Sequence, residues 1–165
     1  MAVQSYPHEG DLPEGWAETT LEDLVLHALG GEWGMDEKKA VTVPGAVRVS
    51  VVRGLEFRDW SRERATTAAA RWVRGASLDK RRLQAGDIVV EISGGGTDQP
   101  VGRTVLIDDK ALESAANPLI CSNFCRQIRI HSEVNAAYVH LVLTHQYLCG
   151  GFDEYQTQTT NLRNL

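Results

Sequence analysis

Arginines and aromatic side chains occur together in one segment, a combination suited to binding nucleic acid. Four arginines surround Phe57 and Trp60, namely Arg53, Arg58, Arg62 and Arg64. Three further cations follow, namely Lys80, Arg81 and Arg82. Guanidinium groups pair with guanine edges or with phosphates, so we predict that the four arginines face a nucleic acid and that the three later cations position its phosphates. The alternative is that Trp60 and Trp72 are core residues and the arginines only solvate the surface.

A glycine-rich stretch, SGGGTDQPVGR from Ser93 to Arg103, resembles a loop that holds phosphate. A nucleoside triphosphate loop needs Gly-Lys-Ser/Thr after the glycines, and no lysine follows here. A dinucleotide loop opens a helix, whereas the next segment is β-branched and follows Pro100. We therefore predict a loop between two strands whose Thr97, Gln99 and Arg103 meet a polyanion or base edges. The alternative is a hairpin turn that contacts no ligand.

Cysteines and catalytic motifs offer little chemistry. Cys121 and Cys125 lack the second pair of ligands that a structural zinc site needs, so we expect buried fillers and no metal. The chain has three cysteines, an odd number that suggests reduced thiols. The alternative is one disulfide between two of them. No hydrolase or metalloprotease motif occurs, so we expect a chain without catalytic activity. A rival is a small enzyme with a pocket lined by Asp87, His131 or Cys125.

Length and charge suit one domain with a local basic segment. The 165 residues carry a net charge of −5, yet residues 48–82 hold ten Lys/Arg and four Asp/Glu. We predict a loose tail over 1–12 and a single domain over 13–165. No apolar run is long enough to cross a bilayer and no secretion signal opens the chain, so we expect a cytoplasmic location and no membrane partner.

Hydrophobic periodicity predicts alternating helices and strands. Helices are expected from the Thr20/Asp23 capping box to Gly30, from Glu63 to Gly75, over 77–83 and from Ser132 to Leu148. Strands are expected over 46–53, 88–92, 101–107 and 119–130. The last helix is expected to face the core with five residues, namely Val134, Tyr138, Leu141, Val142 and Leu148. The predicted fold is α+β, a single mixed domain with a twisted, mostly antiparallel β-sheet and a few packed helices.

Four segments, taken in order, resemble the target-recognition domain of a type I restriction–modification specificity subunit. They are LPEGWAETTLEDLVLHALGGEWG, VVRGLEF, LQAGDIVVEISGGGTDQPVGRTVLI and QTQTTNLRNL. The third resembles the family's most recurrent signature, Leu-x-x-Gly-Asp-Ile, a strand, a glycine-containing loop, then Gly-Arg and another strand. The resemblance spans residues 12–165. A full specificity subunit has two such domains and two long spacer helices, whereas for this chain we expect one domain without a spacer helix.

The resemblance implies a non-catalytic domain that binds one half of a split sequence in double-stranded DNA. Its implied partners are methyltransferase (modification) subunits and an ATP-dependent restriction subunit. The chain itself is expected to hold no cofactor, because S-adenosylmethionine, ATP and Mg would belong to those partners. Gln156 and Gln158, in the exit segment, are further candidates for contacting DNA. Two alternatives remain, a protein-interaction module and a recognition domain of a single-chain restriction–modification enzyme.

Overall fold

Short helices and strands alternate along the chain. The computed structural model describes residues 12–94, 99–158 and 163–165. The α-helices in these ranges are α1 (Leu21–Leu24), α2 (Glu37–Ala40), α3 (Trp60–Glu63), α4 (Gly75–Arg81), α5 (Asp109–Ser114) and α6 (Ala136–Leu148). The strands there are β1 (Val25–Gly30), β2 (Ala46–Val52), β3 (Ala69–Arg74), β4 (Ile88–Glu91), β5 (Ser93–Gly94), β6 (Thr104–Leu106), β7 (Leu119–Cys121), β8 (Cys125–Ile130), β9 (Thr157–Gln158) and β10 (Arg163–Asn164).

The strands form three sheets in which antiparallel pairing dominates. The four-stranded sheet has the order β1-β8-β4-β6 and is antiparallel throughout. The three-stranded sheet has the order β3-β2-β7, and only its β2–β7 pair is parallel. A small sheet joins β5, β10 and β9. The predicted α+β class with a mostly antiparallel sheet is confirmed.

Three groups of buried residues hold the sheets and helices together. Val52, Val89 and Val105 share one cluster with the Phe57 and Trp60 rings, which joins the two larger sheets. On the opposite face of the four-stranded sheet, Ile88 and Val90 pack against α6. The alternation of Ile88, Val89 and Val90 between these clusters follows from the two-residue period of a strand. A third cluster packs Leu78 of α4 on the three-stranded sheet.

The first predicted helix is wrong beyond its first turn. The capping box is present, because Asp23 N donates to Thr20 Oγ1 at 3.3 Å and Thr20 N donates to Asp23 Oδ2 at 3.4 Å. The helix nevertheless ends at Leu24, and Val25–Gly30 pairs with β8. One helical turn is unstable alone, and a long-range ladder satisfies the backbone groups of the following residues.

The predicted helix from Glu63 to Gly75 is also wrong. Arg64 has a φ of 51° and ends α3, and the alanine-rich segment becomes β3. Every residue from Ala69 to Arg74 has a partner on β2. The free energy gained by pairing with β2, a central and largely buried strand, exceeds the local preference of alanine for a helix.

The predicted strand over 119–130 is two strands in different sheets. β7 pairs with β2, β8 pairs with β1 and β4, and the turn Ser122–Phe124 separates them. Cys121 and Cys125 therefore lie on different strands, and both side chains are buried in the same cluster, as expected for fillers of the core.

The last helix begins later than predicted and buries a different face. Asn135 caps it by accepting from Tyr138 N at 3.1 Å, so it starts at Ala136 and not after Ser132. Val139 and Leu143 are its buried residues. Most of the predicted core face is exposed, namely Tyr138, Leu141, Val142 and Leu148. Apolar residues occur on all sides of this helix, so periodicity did not identify the face that packs on the sheet.

No helix in the three described ranges has the length and apolar character needed to cross a bilayer. The predicted loose tail over 1–12 lies outside the described residues, apart from Leu12.

The three cysteines are free thiols with different environments. Cys149 is exposed, whereas Cys121 and Cys125 are buried. Burial raises the pKa of both buried thiols, that of Cys125 to about 12. Since the thiolate is the reactive form, we expect an aromatic disulfide reagent at neutral pH to label one thiol per native chain and three after unfolding in guanidinium. Cys149→Ser should abolish the native reaction, and rapid labelling of all three native thiols would contradict this assignment.

Candidate nucleic-acid interface

A cleft of about 660 Å³ opens where the two larger sheets meet. Its walls come from Gly54 and Leu55 after β2, from Glu91 at the end of β4, and from the turn between β7 and β8. That turn is fixed by both sheets. Ser122 N donates to Val52 O at 2.8 Å, and Phe124 O accepts from Ile92 N at 2.9 Å. The cleft therefore depends on chain segments far apart in sequence.

The floor of the cleft is an ion pair between Arg103 and Glu91. Arg103 Nε donates to Glu91 Oε2 at 2.8 Å and Nη2 donates to Oε1 at 2.6 Å. Glu91 is 3% exposed. Nη2 also donates to Gly54 O at 3.0 Å, and a Cβ on Gly54 would lie 2.3 Å from Glu91 Oε1. The hydrogen bonds to Glu91 raise the pKa of Arg103, which keeps the guanidinium charged.

Arg53 lies on the cleft wall and is also held by a carboxylate. Its backbone N donates to Glu56 Oε2 at 2.7 Å and its Nη2 donates to Oε1 at 2.5 Å. Glu56 is buried. Hydrogen bonding to Glu56 raises the pKa of Arg53. Arg53 and Arg103 are thus rigid cations whose charge is largely compensated inside the protein.

Arg58 and Gln99 are two further polar residues of the lining. Arg58 is exposed, and no carboxylate of the described residues forms an ion pair with it. Gln99 lies beside Arg103, and with its amide oxygen turned toward the guanidinium the distances are 3.1 to 3.2 Å. The structure therefore brings together four predicted residues, Arg53, Arg58, Gln99 and Arg103.

Two exposed aromatic rings, Trp33 and Phe124, line the same cleft. The guanidinium carbon of Arg71 lies 4.8 Å from the centroid of the Trp33 ring. Sequence reasoning missed both rings, because neither lies in the basic segment. A usable signal was the Ser-Asn-Phe insertion at 122–124, which interrupts an otherwise strand-like run.

Two aromatic residues of the basic segment, Phe57 and Trp60, belong to the core, as the alternative interpretation held for Trp60, whereas Trp72 is only half-buried. Phe57 and Trp60 are each 8% exposed, and Trp60 Nε1 donates to Leu106 O at 3.0 Å. The Arg103 guanidinium carbon lies 5.7 Å from the Phe57 ring centroid, so this ring supports the cleft floor from inside. Phe57 and Trp60 are therefore not available to pack on sugars.

Five predicted cations lie outside the cleft lining. Arg62 pairs with Asp59 and Glu63 at 3.1 and 3.0 Å on the surface. Arg64 pairs with Asp108 at 3.0 Å beside a second cleft of about 350 Å³ that also contains His140. The remaining three are on or next to α4: Lys80 and Arg82 are exposed, and Arg81 donates to Gly30 O at 3.1 Å.

The other three predicted DNA-contacting residues are Gln156 and Gln158, which do not line the cleft in the part of the chain that the structure describes, and Thr97. Gln156 Oε1 accepts from Val101 N at 3.1 Å and Nε2 donates to Val101 O at 3.2 Å, so this amide holds the chain next to Gly102. Gln158 belongs to β9 and pairs with Arg163. Thr97 lies outside the described residues, as do its neighbours over 95–98.

The flanks of the glycine-rich stretch behave as predicted for a connection between strands. β4 and β6 pair antiparallel from Ile88 with Leu106 to Val90 with Thr104. Gly94 has a φ of 135° and Gly102 a φ of 109°, values that disfavour any side chain. A Cβ on Gly102 would also lie 2.6 Å from the Phe152 ring. The glycines thus serve close packing around Arg103.

The groups named for the rival enzyme do not line either cleft described above. Asp87 instead forms a buried ion pair with Arg129 at 2.7 Å. Among the residues that the structure describes, no group of three His, Cys, Asp or Glu side chains is arranged to hold a metal ion.

Comparison of the chain with protein-family models and with curated proteins finds no match.

Proposed function

We propose that this chain is a DNA target-recognition domain, the specificity component of a type I restriction–modification system, and that it binds double-stranded DNA through the cleft. The observation that carries the proposal is the convergence of Arg53, Arg58, Gln99 and Arg103 on one surface with two exposed aromatic rings. Guanidinium and amide groups are the side chains best suited to hydrogen-bond with base edges.

The charges of the cleft favour selective over tight binding. Glu56 and Glu91 compensate Arg53 and Arg103, so these two arginines act as positioned donors more than as free positive charge. Arg58, which has no ion-pair partner among the residues that the structure describes, supplies the cation for a phosphate. With a net charge of −5 for the whole chain, binding to DNA is expected to be weak and sensitive to salt.

The proposal assigns chemistry to the partners and none to this chain. Methyltransferase subunits would supply S-adenosylmethionine and an ATP-dependent restriction subunit would supply ATP and Mg. The chain would direct both to one half of a split site. Its place of action would be the cytoplasm, where such DNA is encountered.

Replacing Arg58 by alanine is expected to weaken binding to a mixed-sequence duplex about five- to tenfold at low salt, since one charge-assisted hydrogen bond is lost. The slope of log affinity against log salt should fall by about one unit, as expected for one lost phosphate contact. Fluorescence anisotropy with a labelled duplex at several salt concentrations measures both effects.

Arg48→Ala is the matched control, because Arg48 is also exposed and lies on β2 outside the cleft lining. Equal losses of affinity in the two variants would mean that DNA is attracted only by the overall positive charge of the surface. That result would contradict a binding site at the cleft.

A protein-interaction module is the second candidate, favoured by the exposed apolar side chains of α6, including Leu141 and Leu148. Trp16 extends this surface, its ring centroid being 6.2 Å from that of Tyr138. If the folded domain binds no duplex at low salt, this second function replaces the first.

A further inference from the structure

The two exposed rings of the cleft, Trp33 and Phe124, lie outside the three core clusters. Trp33 is 38% exposed and Phe124 44% exposed, and Leu55 adds a third exposed apolar side chain to the same concave surface. A concave apolar surface with a few polar groups is the usual form of a site for a small organic group. Its volume of about 660 Å³ falls within the range of about 300–1,000 Å³ found for such sites.

Both ring-bearing residues are held in place by the protein itself. Arg71 stacks on Trp33 and donates to Trp33 O and Gly34 O, each at 3.4 Å. The carbonyl of Phe124 accepts from two amides, Ile92 N at 2.9 Å and Ser93 N at 3.1 Å. A ligand would therefore meet a largely formed site and would not have to order these segments.

The polar groups of the cleft match the edge of a base. Arg103 uses Nε and Nη2 for Glu91 and Gly54, and the Gln99 amide oxygen, turned toward the guanidinium, lies 3.1 to 3.2 Å from all three of its nitrogens, including Nη1. The exposed Asn123 offers a further amide on the same surface. Guanidinium and amide groups together can satisfy both donors and acceptors on a base.

Aromatic rings contact the face of a base only when that face is free. Inside a duplex the neighbouring base pairs cover both faces, and proteins reach only the edges and the backbone. Rings that project from a cleft wall therefore suit a base that has left the stack. A sugar–phosphate strand would satisfy Arg58 but would leave the two rings without a planar partner.

We propose that the cleft receives one nucleobase extruded from a DNA duplex, stacked on the rings of Trp33 and Phe124 and held at its edge by Arg103. This inference rests on the proposed function, because the base is delivered by bound duplex DNA. Arg58, at the same cleft, contacts the phosphate backbone beside the extruded nucleotide.

The test compares a mixed-sequence 20-base-pair duplex, a length of about two helical turns, with the same duplex carrying one central thymine–thymine mismatch. Extruding a mispaired base costs less, so the mismatched duplex should bind about tenfold more tightly to the unaltered chain. Phe124→Ala should remove this preference and Phe124→Tyr, which retains a ring, should keep it. Trp16→Ala is the matched control, since Trp16 is an exposed aromatic residue that does not line the cleft.

Each outcome separates the inference from the function on which it rests. Equal affinity for the two duplexes overturns the extruded base and leaves DNA binding standing. A preference that survives Phe124→Ala also overturns it, because the base is then held elsewhere. Failure to bind either duplex at low salt, with circular dichroism showing a folded chain, overturns both proposals.

Discussion

Replacing Arg103 by methionine is expected to lower the free energy of unfolding by about 2–4 kcal/mol, because the buried carboxylate of Glu91 loses its cation. The value lies below that for a fully buried pair, since the Arg103 side chain is 20% exposed and water reaches it. DNA binding should be lost in the same variant, because the cleft floor loses its hydrogen-bond donors. Urea titration and duplex anisotropy measure the two effects.

A double variant separates stability from binding. Arg103→Met combined with Glu91→Gln removes both charges, so much of the lost stability should return while DNA binding stays weak. Recovery of binding together with stability would show that Arg103 acts only through the fold. Gly54→Ala serves as an independent check, because a Cβ there lies 2.3 Å from Glu91 Oε1 and must displace the pair.

Replacing Asp87 by alanine is expected to lower the free energy of unfolding by about 2–4 kcal/mol without a direct effect on DNA contacts. Asp87 is 1% exposed and accepts from Gln84 N at 2.7 Å, from Gln127 Nε2 at 2.8 Å and from two nitrogens of Arg129 at 2.7 and 2.8 Å. Its loss leaves the Gln127 amide and the Arg129 guanidinium with only the longer hydrogen bonds to Arg82 O, at 3.5 and 3.4 Å.

Thermal or urea unfolding of the Asp87→Ala chain measures this loss. Asp79→Ala is the matched control, because Asp79 is exposed on α4, and it should change stability by less than about 0.5 kcal/mol. Similar losses in both variants would contradict a structural role for the Asp87–Arg129 pair. The pair also explains the Gly-Asp turn before β4: Gly86 has a φ of 91°, and Asp87 places its carboxylate under β8.

Part of the cleft was predictable from local chemistry. Guanidinium and amide groups suit base edges, which predicts Arg53, Arg58, Gln99 and Arg103, and these four side chains line one surface. The same chemistry predicts Arg62 and Arg64, but these two arginines lie outside the cleft lining and pair with neighbouring carboxylates. Residue type alone does not distinguish a cation available to a ligand from one paired within the protein.

The positions of Trp33 and Phe124 in the cleft could not be predicted from local sequence patterns. Trp33 precedes α2 and Phe124 follows β7, and their place in one cleft depends on how the β7–β8 turn contacts both sheets. The face of α6 that packs on the sheet was equally hidden, because apolar residues surround this helix. Residues as far apart in the sequence as Trp33 and Phe124 share no local pattern that would predict their contact with one cleft.

The sequence by itself determined the α+β class, the pairing of β4 with β6 across the glycine-rich stretch, the capping of α1 and the burial of Cys121 and Cys125, because each follows from local periodicity, turn chemistry or side-chain type. Only the tertiary structure decided that 25–30 and 69–74 are strands, which face of α6 is buried, and which arginines meet at the cleft. The two strands form because pairing with distant strands stabilises the chain by more than local helix propensity does. The arginines of the cleft are held by buried carboxylates such as Glu91, and local sequence patterns do not predict such long-range contacts.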